Sequence, residues 1–438
     1  MKTKKLKFFF CLLILILLLV LTLFSCNTMY QFSRTLNTQN SPIKDDFNFP
    51  EKKELGQYLN LIDSNIRINL LLKTGEKFII KSDSPIYKDN KAVETVNPTQ
   101  PDNQSQNSTS SQGSDSNKTY YYEITAKDIG STFISFSFIS LEDMQVSKVL
   151  KVEKKDDTGF YLIANIPLIF YLAGVLSAEM GKSFPDEALK AQAVAARTYL
   201  YSSGFSPDLN PSNNQAGSNT SLTLNSKNKK PYDVENSTNF QVFSFKNIEY
   251  FIPYVAATDN LVLKYDGSVF PTYFHSHSGG ILTTPELVWG KKISNVYKVK
   301  EDIFSGDSYK WKAEIGRFFL KTLFQRAGFD VDGYCENIEI LKIGEDKRVS
   351  KIKLSFSNGK IVELTGDAFR KVVGTTVIKS TNFSFTYDAS NQNFIFNGIG
   401  YGHGIGLSQY GAKTMAERGF SFDRILAFYY DGSKLEKR

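Results

Sequence analysis

The chain has few of the residues that build disulfide frameworks and metal centres. Its 438 residues include only three cysteines, three histidines and two tryptophans. Cys11 and Cys26 lie near the N-terminus, so Cys335 is the only cysteine in the body of the chain. A single cysteine cannot form a disulfide framework or a cysteine zinc cluster, so the fold must depend on its hydrophobic core.

A strong excess of basic charge is also missing. The formal net charge is +7, and it falls to +3 when four lysines at the extreme N-terminus are left out (Lys2, Lys4, Lys5 and Lys7). Such a balance predicts no nucleic-acid partner. The hydrophobic content of 41% and the aromatic content of 14% are typical of a globular protein with a sizeable core. The length allows two or three domains, or one large domain with insertions.

An uncharged apolar run from Phe8 to Phe24 follows the basic start. This pattern is typical of an export signal or a signal anchor, and the run is just long enough to span a bilayer. Ser25 before Cys26 resembles the lipobox of bacterial lipoproteins, in which the cysteine becomes the acylated N-terminus. As a lipoprotein signal or as an uncleaved membrane anchor, residues 1–26 would hold the body outside the cytoplasmic membrane, in a periplasm or at the cell surface.

The rest of the chain divides by composition. Residues 27–63 are polar and irregular, and we interpret them as a tether. Residues 64–160 contain short strand patterns and predict a small β-rich part. Residues 161–435 form the predicted core domain. Two Ser/Asn-rich stretches, about 96–119 and 206–231, are too polar to bury a core of their own, so we expect disordered insertions there.

Three segments of the core domain have clear local patterns. Ser183 and Pro185 are placed to open a helix whose first turn carries Asp186 and Glu187, as suits the helix dipole. Residues 311–329 have the spacing of a second, amphipathic helix, and "DRILAFYYDG" predicts a short helix near the C-terminus. Residues 349–366 predict a hairpin that turns at Asn358-Gly359.

Glycine occupies every second position from 398 to 406 in "NGIGYGHGIGLSQYG". On a strand all five glycines would lie on one face, and His403 would lie on the other. A bare face predicts the close approach of another backbone or of a flat ligand. The spacing does not match the G-x-G-x-x-G pattern of dinucleotide binding.

Two sequence blocks, "ALKAQAVAARTY" and "GHGIGLSQYGA", together resemble the signatures of the stage II sporulation protein D family, which includes amidase enhancers. Shorter pieces such as "SGGILT" and "FRKVVG" match as well, and the resemblance extends from about residue 66 to the C-terminus, outside the polar insertions. We therefore expect an α+β fold, with mainly antiparallel sheets and packed helices around a glycan cleft.

The resemblance implies an enzymatic activity on peptidoglycan. Sporulation members of the family are lytic transglycosylases, which act on glycan strands stripped of their peptides. They cut the bond from N-acetylmuramic acid to N-acetylglucosamine and leave 1,6-anhydromuramic ends. The family's catalytic glutamate corresponds to Glu179 here. It follows an apolar run, so its carboxyl should be partly desolvated and its pKa raised, as a general acid requires.

Six further residues are candidates for binding the substrate. His403, Gln409 and Tyr410 would line the groove as hydrogen-bond donors and stacking surfaces, although His403 is also compatible with a place in the core. Ser278 precedes two glycines but lacks the G-x-S-x-G spacing of a nucleophile. Two arginines could hold substrate carboxylates or form structural salt bridges (Arg197 and Arg370).

A metal site is the rival interpretation of the histidines. His275 and His277 would share one face of a strand, and with His403 they would make three histidines, the ligand set of some catalytic zinc sites. Relatives that hold zinc do so with cysteine and histidine near these blocks. This chain has Glu235 and Phe240 where they have cysteines. The leading hypothesis requires no cofactor, and a three-histidine hydrolase with zinc remains an alternative.

A non-catalytic role is the other alternative. The family's proline after E-M is Gly181 here, and its usual tryptophan is Phe184. Both departures are compatible with a relative that grips glycan strands and stimulates a separate cell-wall amidase. The expected partners are thus peptidoglycan strands, the membrane through the N-terminal segment and, in this alternative, an amidase.

Overall fold

A computed structural model describes strands between residues 65 and 167 and then residues 168–205, 233–235, 240–244, 246–306 and 308–438. These residues belong to one compact unit, Glu51–Arg438. The predictions for the signal segment, Cys26, the tether and both polar insertions lie outside the described residues. Within the described part of the chain, no helix has the length and apolar character needed to cross a membrane.

The N-terminal part is built from strands, as predicted. They are β1 (Asn65–Lys73), β2 (Lys77–Ser82), β3 (Ile86–Lys88), β4 (Lys91–Ala92), β5 (Tyr120–Thr125), β6 (Thr132–Ser135), β7 (Ser140–Leu141), β8 (Met144–Gln145), β9 (Lys148–Asp156) and β10 (Gly159–Pro167). A seven-stranded sheet has the order β11-β1-β10-β9-β6-β3-β4, in which β11 is Val234–Glu235. Strand β10 continues across the domain boundary predicted at residue 160 and leads directly into the first helix.

The described residues contain eight helices: α1 (Leu168–Glu179), α2 (Asp186–Ser202), α3 (Ile248–Ala257), α4 (Pro285–Trp289), α5 (Arg317–Arg326), α6 (Gly366–Val373), α7 (Gln409–Glu417) and α8 (Phe422–Tyr429). Helix α2 is the one predicted from its acidic first turn, with Pro185 at the N-cap rather than inside the helix and no side-chain cap from Ser183. Its buried alanines let α1, α3, α7 and α8 pack closely around it.

Arg197 holds two of these helices together. Its guanidinium is buried on α2 and donates to the carbonyl oxygens of Val255, Thr258 and Leu261 at distances of 2.9, 2.7 and 3.2 Å. These carbonyls lie at the C-terminal end of α3 and just beyond it, where the helix leaves them without internal partners. The structure therefore places Arg197 inside the fold as a cap for α3.

The remaining strands are short or form small sheets: β12 (Leu261–Tyr265), β13 (Ser268–Val269), β14 (Phe274–His275), β15 (Ile281–Leu282), β16 (Lys300–Glu301), β17 (Lys310–Gly316), β18 (Cys335–Ile343), β19 (Val349–Phe356), β20 (Ile361–Thr365), β21 (Phe383–Asp388), β22 (Asn393–Ile399), β23 (Leu407–Ser408) and β24 (Lys434–Lys437). Sheets β17-β22-β21 and β18-β19-β20 are antiparallel and share an apolar core with α5 and α6. The α+β fold with mainly antiparallel sheets is confirmed.

Two local predictions in this region had different outcomes. The hairpin at 349–366 is confirmed, with Gly359 in its turn at a φ of 80°. The helix predicted for 311–329 is wrong in its first part, because residues 310–316 form β17, paired along its length with β22. Trp311 and Ile315 of β17 are buried in the shared core, whereas the helix occupies only Arg317–Arg326.

The glycine-rich segment is a strand only at its beginning. Strand β22 ends at Ile399, and four of the five glycines then adopt positive φ angles, which a strand does not allow: 89°, 113°, 84° and 68° at Gly400, Gly402, Gly404 and Gly406. The strand interpretation of the alternating glycines therefore applies only as far as Ile399. The close approach predicted from the missing side chains is confirmed, and the approaching groups belong to the protein itself.

Residues 273–283 lie against this segment. The backbones of His277 and Tyr401 exchange two hydrogen bonds of 2.9 and 2.8 Å, and Thr283 N donates to Gly404 O at 3.0 Å. At Gly404 the approaching group is instead the buried Arg348 guanidinium. A Cβ added to Gly404 would lie 2.6 Å from Arg348 Cζ, so that no side chain fits.

We predict that Gly404→Ala destabilises the fold more than Gly419→Ala. Both glycines have a φ of 84°, so both variants share the strain of a left-handed alanine, about 1–2 kcal/mol. An alanine at 419 would meet nothing within 4 Å, whereas one at 404 must displace Arg348, at an additional cost of about 1–3 kcal/mol. Urea unfolding of the two variants measures the difference, and equal free energies of unfolding would contradict the crowding argument.

Candidate functional site

A cleft of about 760 Å³ is lined by residues far apart in sequence. Helices α1, α2 and α6 contribute to its walls, together with the segment around His275 and the glycine-rich segment. Its volume is in the range of small-molecule and oligosaccharide sites. The lining includes Glu179, Tyr199, Phe240, Tyr273, His275, Trp289, Asp367, Arg370, Lys371, Tyr401, His403 and Gln409.

Glu179 is the last residue of α1 and is half-buried in the cleft. One carboxylate oxygen accepts a hydrogen bond of 3.3 Å from Val242 N, and the other accepts one of 3.2 Å from Gln409 Nε2. Gln409 is itself buried, at the first position of α7. The carboxyl is thus held from both sides in a defined orientation.

The pKa of Glu179 is raised above its ordinary value. Burial is the main cause, because desolvation disfavours the charged carboxylate, while the hydrogen bonds from Gln409 and Val242 act in the opposite direction. The position at a helix C-terminus also disfavours a negative charge. Glu179 can therefore hold a proton at a higher pH than an exposed glutamate, and two donors are in place to stabilise the carboxylate once that proton has left.

Asp367 is the other carboxylate that lines the cleft. Its buried side chain forms an ion pair of 2.8 Å with Lys371 Nζ, one turn along α6. Asp367 thus has an ammonium group as its partner, whereas the two hydrogen-bond donors of the Glu179 carboxylate, Val242 N and Gln409 Nε2, are neutral. The two carboxylates of the cleft thus have different environments, and Glu179 has that of an acid.

His403 and His275 lie side by side in the cleft, with ring centroids 5.4 Å apart. Burial is the main cause that lowers the pKa of His403 to about 3, and the positive charges of Arg370 and Arg348 contribute to this shift. Its Nδ1 accepts a hydrogen bond of 3.0 Å from Ile405 N, so the hydrogen of the neutral ring is on Nε2. His403 is therefore a neutral ring in the wall of the cleft, with a further hydrogen bond to the backbone of Phe274.

His277 does not line the cleft with the other two histidines. Its Nδ1 accepts from Gly279 N at 3.1 Å, and its Nε2 lies 3.3 Å from Ser308 Oγ. In the part of the chain that the structure describes, no three His, Cys, Asp or Glu side chains are grouped so that they could hold a metal ion. A three-histidine zinc site would require the His277 ring to leave these contacts.

Aromatic rings form a continuous row in the cleft, and the sequence analysis missed it. Phe240, Tyr199, Tyr273 and Trp289 follow one another with centroid distances of 5.1, 5.7 and 4.9 Å. Trp289 also lies 5.4 Å from the His403 ring and is 36% exposed. The signal available in the sequence was the rarity of tryptophan, since Trp289 is one of only two in the chain.

The structure brings together four of the predicted catalytic and substrate-binding residues (Glu179, His403, Gln409 and Arg370), along with His275 from the alternative metal site. Arg370 lines the cleft while its Nε donates to Ile378 O at 3.0 Å. Ser278 is buried outside the lining, where its amide donates to Ser408 Oγ and its hydroxyl accepts from Gly280 N. Tyr410 is exposed and lies outside the cleft.

Comparison with known proteins shows which sequences this chain resembles. A family model described as "Stage II sporulation protein" matches residues 156–265. The chain is 28% identical over 276 residues to the stage II sporulation protein D of Bacillus subtilis, covering 63% of this chain and 76% of that protein. An uncharacterized protein of Brachyspira hyodysenteriae is 30% identical over 266 residues, with coverages of 60% and 64%. An amidase enhancer of Bacillus subtilis is 28% identical over 311 residues, with coverages of 60% and 40%.

We predict that Gln409→Leu raises the pKa of Glu179 further. The leucine keeps much of the side-chain volume but removes a donor that favours the charged carboxylate, so protonation becomes easier. The measurement is an NMR titration of the Glu179 side-chain carboxyl carbon in the variant and the original chain. Gln325→Leu is the control. Gln325 lies on α5, donates to Val331 O and does not line the cleft. A pKa that fell in Gln409→Leu would contradict the assignment.

Proposed function

The chain belongs to the stage II sporulation protein D and amidase-enhancer family, which is related to the cell wall, and from this premise we propose that it is a lytic transglycosylase of peptidoglycan. The observation that carries the proposal is Glu179, a carboxyl with a raised pKa, held by Gln409 and Val242 in a cleft with a row of aromatic rings. The substrate would be the glycan strand, cut between N-acetylmuramic acid and N-acetylglucosamine.

One carboxyl group is sufficient for this reaction. Protonated Glu179 donates its proton to the glycosidic oxygen, and the bond between that oxygen and C1 of the muramic acid breaks. The C6 hydroxyl of the same sugar forms the new bond to C1, and its proton passes to the Glu179 carboxylate. The acid is restored, no water is consumed, and the product carries a 1,6-anhydro end. A hydrolase would need a second carboxylate as base or nucleophile, and Asp367 is held by Lys371.

The surrounding residues would support both halves of the reaction. Gln409 and the Val242 amide stabilise the carboxylate after the first proton transfer. The row of aromatic rings offers flat apolar surfaces for the C–H faces of the sugars, and the neutral His403 ring lies beside this row, 5.4 Å from Trp289. Arg370 and Lys371 place positive charge where it would attract the carboxylate of a muramic acid without its peptide.

A second candidate function is a non-catalytic one. The chain is similar to an amidase enhancer, and the turn after Glu179 departs from the family's E-M-P motif. Gly181 has a φ of 85°, which a proline cannot adopt, so this turn differs in backbone conformation from that of any relative with proline there. In this alternative the cleft would bind glycan and the protein would stimulate a separate amidase. In both cases we place the protein outside the cytoplasmic membrane, held by its N-terminal segment.

We predict that Glu179→Gln abolishes the release of anhydro-ended fragments and leaves glycan binding intact. Loss of a general acid typically lowers a rate by about 10²–10⁴-fold, whereas the neutral amide keeps the volume and the polar contacts of the side chain. The full-length chain in detergent would be incubated with peptide-free glycan strands, and mass spectrometry would identify the products. Glu187→Gln is the matched control, since Glu187 lies in the first turn of α2 and outside the cleft.

The possible results separate the candidate functions. Anhydro ends from the original chain and from Glu187→Gln, but not from Glu179→Gln, would support the transglycosylase. Strands that are bound but never cut would support the enhancer. Hydrolysed ends that disappear with a chelator would overturn both interpretations in favour of a metal-dependent hydrolase.

A further inference from the structure

Tyr410 is a large aromatic residue at the surface beside the cleft. It is 42% exposed and follows Gln409, the residue that donates to Glu179. Its amide donates to Ser276 O at 3.0 Å, and its ring packs edge-on against Phe184 with the centroids 5.5 Å apart. Phe184 itself is five residues after Glu179. The tyrosine ring is thus held in place against Phe184, although the cleft does not include it.

Ring contacts continue from Tyr410 back to the cleft. The His277 ring lies 6.0 Å from Tyr410 and 5.5 Å from Tyr309, and Tyr309 lies 5.9 Å from Tyr401. Tyr401 is a lining residue of the cleft. We call this series the rim strip, which consists of Phe184, Tyr410, His277, Tyr309 and Tyr401. Within the rim strip Phe184 and His277 are buried, Tyr410 is exposed, and Tyr309 and Tyr401 are half-buried.

Two lysines give the rim strip positive charge. Lys379 Nζ lies 5.3 and 5.7 Å from the centroids of Tyr309 and Tyr401, and it donates to the Tyr309 hydroxyl at 3.3 Å. Lys413 Nζ lies 5.6 Å from the centroid of Phe184. The surface therefore combines flat rings with ammonium donors. This combination suits a chain of sugars, whose rings have apolar C–H faces and whose edges carry hydroxyl, acetamido and carboxylate groups.

We propose that the rim strip is a second binding surface for the glycan strand, which holds sugars outside the cleft while another part of the same strand lies at Glu179. The inference rests on the proposed function. We assign the glycan strand to the rim strip because this surface is continuous with the cleft. Tyr401 belongs to both surfaces, and Tyr410 directly follows Gln409. Long strands would gain affinity from the rim strip, and oligosaccharides short enough to lie within the cleft would not.

The test compares strand lengths in a chain that cannot cut them. Full-length Glu179→Gln, alone and combined with Tyr410→Ala, Tyr410→Phe or Tyr387→Ala, would be titrated with a purified peptide-free tetrasaccharide and with long peptide-free strands. Tyr387 is the matched control: it is also 42% exposed, but it packs against Phe394 in the β21-β22 hairpin. Circular dichroism would confirm that each variant is folded.

We expect Tyr410→Ala to weaken the binding of long strands by about three- to tenfold, as for the loss of one aromatic contact, and to leave tetrasaccharide binding unchanged. Tyr410→Phe keeps the ring and should bind as the parent does, and Tyr387→Ala should have no effect. Equal losses for both lengths, or no loss for long strands, would overturn the second surface while leaving the proposed function in place. If the parent bound neither ligand, both proposals would fall together.

Discussion

The close contact between two backbone segments, residues 400–406 and residues 273–283, determines where the cleft residues lie. Their hydrogen bonds join His277 to Tyr401 and Thr283 to Gly404, and the neighbouring Leu407 donates to Tyr273 O at 3.1 Å. The contact is possible only because the approaching positions have no side chain. It sets His403 beside His275 and carries the chain into α7, so that Gln409 reaches Glu179 from a distance of 230 residues in sequence. The backbone conformation of the glycine-rich segment is thus connected directly to the geometry of the site.

The electrostatics of the cleft depend on this arrangement. Glu179 is desolvated at the end of an apolar helix, which raises its pKa, and its neutral partners Gln409 and Val242 limit that effect without supplying a full positive charge. Asp367, by contrast, has its own ammonium partner in Lys371. Burial and the positive charges of Arg370 and Arg348 lower the pKa of His403 and keep its ring neutral. One carboxyl suited to proton transfer, next to neutral donors, agrees better with an intramolecular attack by a sugar hydroxyl than with a hydrolysis that needs two carboxylates.

Aromatic residues connect the chemistry to the substrate proposed for it. The row from Phe240 to Trp289 lies inside the cleft, and the rim strip leads from Tyr401 to Tyr410 outside it. Together they form a surface longer than the cleft itself. A polymer can use both parts at once, whereas a small ligand can use only one, and this difference is the physical basis for a preference for long strands.

Local patterns in the sequence were sufficient for helix α2, the hairpin at 349–366 and the C-terminal helix, because caps and turns act over a few neighbouring residues. Glu179 became a candidate only through the resemblance to a known family. Other features depended on distant partners. Residues 310–316 form a strand because they pair along their whole length with β22, which lies some 80 residues further on in the sequence. The groups that approach the glycines include protein backbone and the buried Arg348 side chain. Arg197 caps α3 instead of lining the cleft. The His277 ring is hydrogen-bonded to Gly279 N and does not line the cleft with the other two histidines. The sequence by itself thus determined which residues could perform the chemistry, and the tertiary structure decided which of them meet, since burial and ring contacts arise only when remote segments pack together.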